Sequence, residues 1–371
     1  MRAVVNIFGS RLSVICSLVL FCAVASAQDK PAIKFDYDVK FSTTFDNREY
    51  DKSGGLDYSC TLFGLRAQTA VGVSLGKDKP GAVRHRLLAG VDPLYEFGGG
   101  FKVQPLVYYE MSTMLKRSRF SIVAGAFPRS RSTEFYSMAF YSDRTKFLDD
   151  TYEGLQFSWK GRNFNYELGV DWMGQIRDAA PATREQFQVY SGGHHYFPFG
   201  LKLGYSAMLH HYACSMQASN VVDDILVNPY VEMNAGKWLA LQSLTARLGY
   251  IQAYGYDRQY HGEIYLPGKG EFFLEVRKWN VGITNDLFFG GNLMPFYDKL
   301  APEGIAYGQN LYMGDPFMRN AGGKNFGVYD KVSVYYEPYI VKRLSLRVQL
   351  DFQFNGGYAG CRQFIAVSYQ L

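Results

Sequence analysis

Hydrophobic and polar side chains alternate without a slip in the last hairpin of the chain. From Leu344 to Phe354 every second residue is apolar. The positions between them are polar: Ser345, Arg347, Gln349, Asp351 and Gln353. This period of two predicts a β-strand with one apolar and one polar face. Each arm of the hairpin has about 11 residues, near the roughly 9–11 that a tilted strand needs to cross a bilayer. The hairpin therefore indicates transmembrane strands, of which the last must pair with the first because hydrocarbon tolerates no open sheet edge.

Alternation between turn signals predicts about sixteen such strands along the chain. They span residues 34–45, 60–75, 84–97, 101–112, 118–127, 152–159, 163–173, 185–195, 199–212, 226–235, 239–254, 271–278, 281–289, 327–337, 344–354 and 361–371. Counted from a periplasmic N-terminus, the even connections are short and most odd ones are long, as in outer-membrane barrels. The sequence therefore predicts an all-β fold, a transmembrane antiparallel β-barrel with short periplasmic turns and long external loops. A barrel of about sixteen strands leaves an aqueous lumen.

The N-terminus has the pattern of an export signal. Arg2 and Arg11 precede an apolar run over residues 12–25, and Ala25, Ser26 and Ala27 form a small-residue cleavage site. We expect a signal peptide over residues 1–27 and an outer-membrane barrel over residues 28–371. The formal net charge of +5 is too small to indicate a nucleic-acid partner. The expected location is the bacterial outer membrane, with outer-membrane lipid as the surrounding partner.

The third external connection, residues 128–151, carries charges of both signs among aromatic residues. Its candidate functional residues are Arg129, Arg131, Glu134, Asp143, Arg144, Asp149 and Asp150. Together with the strand pattern, this loop resembles that of the general porins of bacterial outer membranes, sixteen-stranded barrels in which the loop after the fifth strand narrows the lumen. The resemblance covers the mature chain as architecture and involves no specific motif. It implies that the arginines face the carboxylates across a pore constriction and set a transverse field. The alternative is that this loop forms a solvated lid over the mouth.

The polar faces of the strands supply a candidate lumen wall. Its cations are Arg66, Arg86, Lys102, Arg277, Arg347 and Arg362, and its anions include Glu110, Glu167 and Asp171. The two signs nearly balance, so strong ion selectivity is not expected. The predicted function is a porin-like channel for passive diffusion of small hydrophilic solutes and ions. Ala124 and Ala126 mark a candidate homotrimer interface.

An enzyme is one alternative, because some outer-membrane barrels are lipid hydrolases with a serine and a histidine on the lipid-facing wall. His210 or His211 is a candidate general base near the outer rim, but no serine has a matching set of partners. Adjacent histidines in a strand point to opposite faces and cannot bind one metal. The sequence therefore predicts a non-enzymatic protein without catalytic residues, metal or cofactor. A substrate-selective or partner-associated channel is the first alternative to a general porin, and a barrel lipid hydrolase is the second. Residues 290–326 form the longest connection and are the expected place for a specificity feature.

Overall fold

One antiparallel sheet, closed on itself, forms the body of the molecule. The computed structural model describes residues 33–52, 56–180 and 183–371, and sixteen long strands of this part close into a barrel. The first strand pairs with the last, so that Thr43 lies opposite Val367. Closure satisfies backbone groups that an open edge would leave unpaired in hydrocarbon. The predicted transmembrane barrel is confirmed, whereas the signal peptide predicted at residues 1–27 lies outside the described residues.

The strands follow the alternating segments of the sequence. They are β1 (Lys34–Tyr50), β2 (Cys60–Gly76), β3 (Val83–Glu96), β4 (Gly100–Leu115), β5 (Ser118–Pro128), β6 (Thr151–Gly161), β7 (Phe164–Gly174), β8 (Arg184–Tyr196), β9 (Leu201–Ser215), β10 (Val222–Asn234), β11 (Ser243–Asp257), β12 (Ile264–Tyr265), β13 (Gly268–Lys278), β14 (Val281–Gly290), β15 (Gly327–Tyr336), β16 (Tyr339–Val341), β17 (Leu344–Asn355) and β18 (Tyr358–Gln370). The short strands β12 and β16 extend the sheet beside β11 and β17. Each long strand pairs with its neighbours in the chain, which gives an up-and-down barrel.

Helical segments occur only in the connections of the described chain. The α-helices are α1 (Asp143–Leu148) and α2 (Gly308–Leu311). Short 3₁₀ turns span Arg129–Arg131, Pro198–Gly200, Gly236–Leu239, Pro316–Met318 and Ala321–Gly323. One of them corrects a predicted boundary: the strand expected from residue 239 begins at Ser243, because the chain first turns through Ala240, whose φ is 53°. Among the residues described, no helix has the length and hydropathy of a membrane-spanning helix.

The two faces of the wall are sorted as the alternation predicts. In β17, Asp351 and Gln353 are buried inside the barrel, whereas Phe352 and Phe354 are exposed on its outer surface. The outer surface is thus the apolar one, as required of a wall in contact with lipid. Trp238 and Trp279 are exposed at the periplasmic turns, where an interfacial aromatic girdle belongs.

Two external loops fold into the barrel. L3 (residues 129–150) connects β5 to β6, and L7 (residues 291–326) connects β14 to β15. The backbone N–H of Ser142 donates to Met313, and that of Asp315 donates to Met138, so the two loops bind each other. Their buried apolar side chains form one core with the wall: Phe140, Tyr141, Phe296, Leu311 and Met318 from the loops, and Met208, Ile251, Phe288 and Tyr329 from the strands. The barrel therefore has a packed core towards the external ends of these strands.

Candidate functional site

The first charged residue of L3 ties both ends of that loop to the wall. Arg129 follows directly on Pro128, the last residue of β5, and its guanidinium is buried. Its Nη2 lies 2.8 Å from Asp149 Oδ2 and 3.3 Å from Asp171 Oδ2, and the guanidinium covers the ring of Tyr152 at 4.1 Å. Arg129 and Asp149 thus contact each other directly.

Arg131, the second arginine of L3, joins a network of charges on the inner wall. It binds Asp38 at 2.7 Å and Glu110 at 2.9 Å. Arg86 of β3 binds the same two carboxylates, each at 2.9 Å. The four side chains alternate in sign, so every carboxylate lies between two cations. This arrangement holds the start of L3 against β1, β3 and β4.

The remaining charges of L3 also contact individual partners. Glu134 lies 2.7 Å from His194, Asp150 lies 3.0 Å from Lys40, Asp143 lies 2.7 Å from Arg362, and Arg144 covers the ring of Tyr58 at 4.6 Å. Desolvation inside the barrel would raise the pKa of Asp143, whose side chain is 47% exposed to the lumen, but the attraction of Arg362 lowers this pKa far below its ordinary range. Charges from L3 therefore meet opposite charges or aromatic rings of the wall and L1 (residues 51–59).

The predicted lumen-wall residues lie at different heights along the barrel axis, from the periplasmic end to the external rim. Arg66 pairs with Asp92 at 2.7 Å, and Glu167 accepts hydrogen bonds from Ser132 and from the backbone N–H of Thr133 in L3. Arg277 donates to the carbonyl oxygen of Glu337, and Arg347 pairs with the Glu337 carboxylate at 3.2 Å, both near the periplasmic end. Lys102 lies elsewhere: its side chain is 59% exposed at the external rim and binds Glu96, because β4 begins only two residues earlier, after a tight hairpin.

A polar cavity of about 790 Å³ lies on the periplasmic side of L3. Its lining combines residues of L3 with the inner faces of β1, β13, β14, β15, β17 and β18. Charges of both signs border it: Lys40, Arg66, Lys331, Arg347, Arg362, Asp150, Glu275 and Asp286. The cavity is large enough for a small hydrophilic molecule, and L3 forms its external boundary.

A second group of charged residues lies on the outer face of the wall. His211 of β9 and Asp223 of β10 are register partners, and His211 Nδ1 lies 2.7 Å from Asp223 Oδ1. Arg258, directly after β11, donates from Nε and Nη2 to Asp223 Oδ2, at 2.7 and 2.6 Å. Both strand residues share the outward side with Leu209 and Ile225. This His211 cluster (His211, Asp223 and Arg258) therefore lies near the external ends of three neighbouring strands, on the side that faces lipid.

Aromatic rings flank the His211 cluster. Phe187 of β8 lies 4.9 Å from His211, ring centroid to ring centroid, and stacks on Trp172 at 5.5 Å. Aromatic residues of this kind mark the depth of the membrane interface. The preceding His210 points into the barrel instead, where it is fully buried opposite Asp224. His210 and His211 on β9 thus lie opposite Asp224 and Asp223 on β10. In the described structure only the outward pair, His211 and Asp223, forms a hydrogen bond.

Sequence reasoning identified His210 or His211 as a candidate base but missed Asp223 and Arg258. The signal that could have identified Asp223 is the pairing of residues 210–211 with residues 223–224 across a single hairpin. This pairing can be recognised only when the strand register is known. No group of three or more histidine, cysteine or carboxylate side chains placed to hold a metal occurs in the part of the chain that the structure describes.

Comparison with known families identifies the chain's relatives. A protein-family model described as lipid A 3'-O-deacylase-type matches residues 27–262, which is more than half of the 371 residues. The chain belongs to the lipid A 3'-O-deacylase-type family. This is an enzyme family, so the prediction of a non-enzymatic protein was wrong. All three residues of the His211 cluster lie within the matched segment of this family member.

Solved structures give the architecture of this deacylase-type protein. OmpTdeltaL8, a loop-deletion mutant of the Vibrio cholerae outer membrane protein OmpT, has a TM-score of 0.54 at 12% identity; the match covers 92% of this chain and 100% of that one. OpdO of Pseudomonas aeruginosa has a TM-score of 0.52 at 9% identity, over 91% of this chain and 97% of that one. The porin-like architecture and the bacterial outer-membrane location are confirmed. No curated protein sequence matches the chain significantly.

Proposed function

We propose that this protein hydrolyses an acyl ester of a lipid A-type lipid at the outer face of the membrane. The observation that carries the proposal is the 2.7 Å hydrogen bond between His211 and Asp223 on the lipid-facing wall. A histidine whose Nδ1 is held by a carboxylate has the orientation required of a general base. The family adds the substrate class, since its description is that of a lipid A 3'-O-deacylase.

The proposed reaction uses water as the nucleophile. His211 donates Nδ1–H to Asp223, which leaves Nε2 to take a proton from a water molecule as the water oxygen attacks the ester carbonyl. The tetrahedral intermediate collapses with cleavage of the acyl C–O bond, and the imidazolium gives its proton to the departing sugar oxygen, which becomes a hydroxyl. Water and ester thus become a fatty acid and an alcohol, and His211 is neutral again. Asp223 stabilises the imidazolium, while Arg258 holds Asp223 in place.

The position of the His211 cluster suits an ester of a membrane lipid. Such esters lie at the boundary between headgroups and hydrocarbon, at the depth where aromatic belts are found. Trp172 and Phe187 provide rings of this kind beside His211. A lipid in the outer leaflet can therefore present its ester to His211 without leaving the membrane.

The direct test measures fatty-acid release from lipid A in detergent micelles containing the refolded barrel, with mass spectrometry of the remaining lipid. We expect His211→Gln to abolish release and His210→Gln to retain it, because the two histidines are adjacent but point to opposite faces. Release that is equal in the wild type and His211→Gln, or absent from a folded wild type, contradicts the proposal.

A second candidate function is passage of small hydrophilic solutes and ions, which the polar cavity of about 790 Å³ favours. In this function the charged residues of L3, among them Arg131 and Asp150, form the constriction, and the wall charges line the route. The test is single-channel conductance in a planar bilayer, where Arg131→Ala should change the reversal potential in a salt gradient. No conductance from a folded barrel would exclude a channel.

The homotrimer predicted at Ala124 and Ala126 stays a prediction, which the mass of the detergent-solubilised protein tests.

A further inference from the structure

A shallow, open apolar groove crosses the outer face of the barrel from the external ends of β13 and β14 to β9. It has a volume of about 800 Å³, within the roughly 300–1,000 Å³ typical of small-molecule sites. Pro229, Leu248, Tyr250, Gly270 and Phe289 contribute to its lining, and no described residue that lines it is charged. The groove is separate from the polar cavity inside the lumen.

Glycines and aromatic rings both line this groove. Gly270 lies opposite Phe289 in the register of β13 and β14. A Cβ at Gly270 would lie 2.5 Å from the Phe289 ring, and a Cβ at Gly268 would lie 1.9 Å from the Tyr250 hydroxyl. The missing side chains thus allow the rings to lie across the neighbouring strand. These rings and glycines together border the shallow apolar groove.

The location of the groove identifies the kind of molecule that fills it. The outer face of this wall lies in the outer membrane, so its surroundings are acyl chains. A concave apolar depression without charges fits a flexible chain, whereas the convex wall of a second barrel would leave it unfilled. We propose that the groove binds one acyl chain of an outer-membrane lipid as a retained ligand. Such a lipid exchanges more slowly than the lipids around the rest of the barrel.

This site does not depend on the proposed hydrolysis. Pro229 follows Asp223 by six residues on β10 and on the same face, a distance of about 20 Å at roughly 3.3 Å per residue. The groove and the His211 cluster therefore contact different parts of the bilayer. His211→Gln should leave lipid retention unchanged, so a failure of hydrolysis and a failure of lipid binding give different results.

The test uses a phospholipid with a photoreactive diazirine in the middle of one acyl chain. The folded full-length barrel is reconstituted with this lipid, irradiated and digested, and labelled residues are located by mass spectrometry. We expect several-fold more label on Leu248, Tyr250 and Phe289 than on Val107, which is equally exposed on the outer face of β4 (54% for Leu248 and 53% for Val107). In Leu248→Trp, which fills the groove, this excess should disappear, whereas Val107→Trp should keep it.

Three results would overturn the inference. Even labelling around the barrel would mean that the groove holds no particular lipid. Label that is absent from the groove residues but present on Val107 would mean that a second copy or another protein covers the groove. If Leu248→Trp does not fold, as judged by the heat-dependent mobility of folded barrels in gels, Val231→Trp provides a second way to fill the groove, because Val231 also lines it and is 38% exposed. Unchanged labelling in a folded groove-filling variant also excludes the site.

Discussion

His211 and Asp223 lie opposite each other on β9 and β10, with 2.7 Å between His211 Nδ1 and Asp223 Oδ1. Because Arg258 occupies Asp223 Oδ2, the other carboxylate oxygen stays directed at the imidazole. We expect Asp223→Asn to lower the rate of ester hydrolysis by about 10²–10⁴-fold, since an amide cannot stabilise the imidazolium that forms when His211 takes a proton. The measurement is the initial rate of fatty-acid release at saturating lipid A.

The inward pair supplies the matched control for this prediction. Asp224→Asn makes the same chemical change at the next residue of β10, but Asp224 faces the core under L7. Its folded variant should keep the wild-type rate. Arg258→Gln should reduce the rate less than Asp223→Asn, because Arg258 acts only through Asp223. A wild-type rate for Asp223→Asn would remove His211 from the mechanism.

Arg129 is expected to stabilise the barrel more than any surface ion pair. Arg129→Met would leave the Asp171 carboxylate, which is 3% exposed, without its cation. Loss of one partner of a buried pair costs about 3–5 kcal/mol of unfolding free energy. Arg119→Met breaks the exposed pair with Asp78 and should cost no more than about 1 kcal/mol. Urea unfolding of both variants in lipid vesicles gives the two values, and equal losses would show that Arg129 is not a buried clamp.

The fold was predictable because a bilayer restricts what a strand can be. A segment such as Leu344 to Phe354 must be long enough to cross, alternate in polarity and have a partner on each side. The alternation of short and long connections then indicates that the number of strands is even. The predicted and observed strands differ only at boundaries near turns. The prediction placed Leu239 and Leu241 in a strand, but both precede Ser243, where β11 begins. Apolar residues in a periplasmic turn cannot be distinguished from strand residues by sequence alone.

The candidate site was less predictable because it depends on register. His211 was visible as a base, but its partner Asp223 belongs to another strand and becomes a neighbour only through the pairing of β9 with β10. Sequence reasoning looked for a serine nucleophile and found none with suitable partners, which argued against catalysis. A histidine held by a carboxylate can activate water instead, so this mechanism needs no serine. The inward folding of L7 had no periodic signal, since Phe296 and Leu311 lie in an irregular loop whose apolar partners are on distant strands.

Asp315 should make the packing of L7 depend on pH. It accepts a hydrogen bond from the backbone N–H of Phe317, and burial raises the pKa of its carboxyl from 3.8 to about 6. The folded loop thus binds a proton more tightly than the unfolded chain. Its stability is greatest below about pH 4 and decreases as the pH rises from about 4 to about 6, by at most about 3 kcal/mol.

Hydrogen exchange of the L7 amides measures this effect. Residues around Phe317 should exchange more slowly at pH 5 than at pH 8, after correction for intrinsic rates, and Asp315→Asn should remove the difference while keeping the acceptor. Helix α1 in L3 is the internal control, because the pKa of Asp143 lies far below this range. Equal protection of L7 at both pH values in the wild type would contradict the prediction.

L7 is expected to limit passage through the lumen. Its buried residues Phe296, Leu311 and Met318 pack on the inner wall, and its two ends meet where Gly290 pairs with Gly327. Replacing residues 291–326 by Gly-Gly, as in the two-residue turn at Gly356 and Gly357, closes the strands without altering the barrel register. Without L7 the apolar core loses one of its sides and the lumen widens towards the outside.

The shortened barrel should therefore show larger single-channel conductance in a planar bilayer than the full-length chain, on the order of a nanosiemens for an open sixteen-stranded lumen. Ile305→Ala changes an exposed residue of L7 and should conduct like the wild type, whereas Phe296→Ala loosens the core and should raise the frequency of open events. Equal, nonzero conductance of the shortened and full-length barrels would contradict the prediction that L7 limits passage, whereas no conductance from either barrel would mean that L3 alone closes the lumen. The cavity below L3 would then be a compartment open to the periplasm, and the channel function would be excluded while hydrolysis at His211 is unaffected.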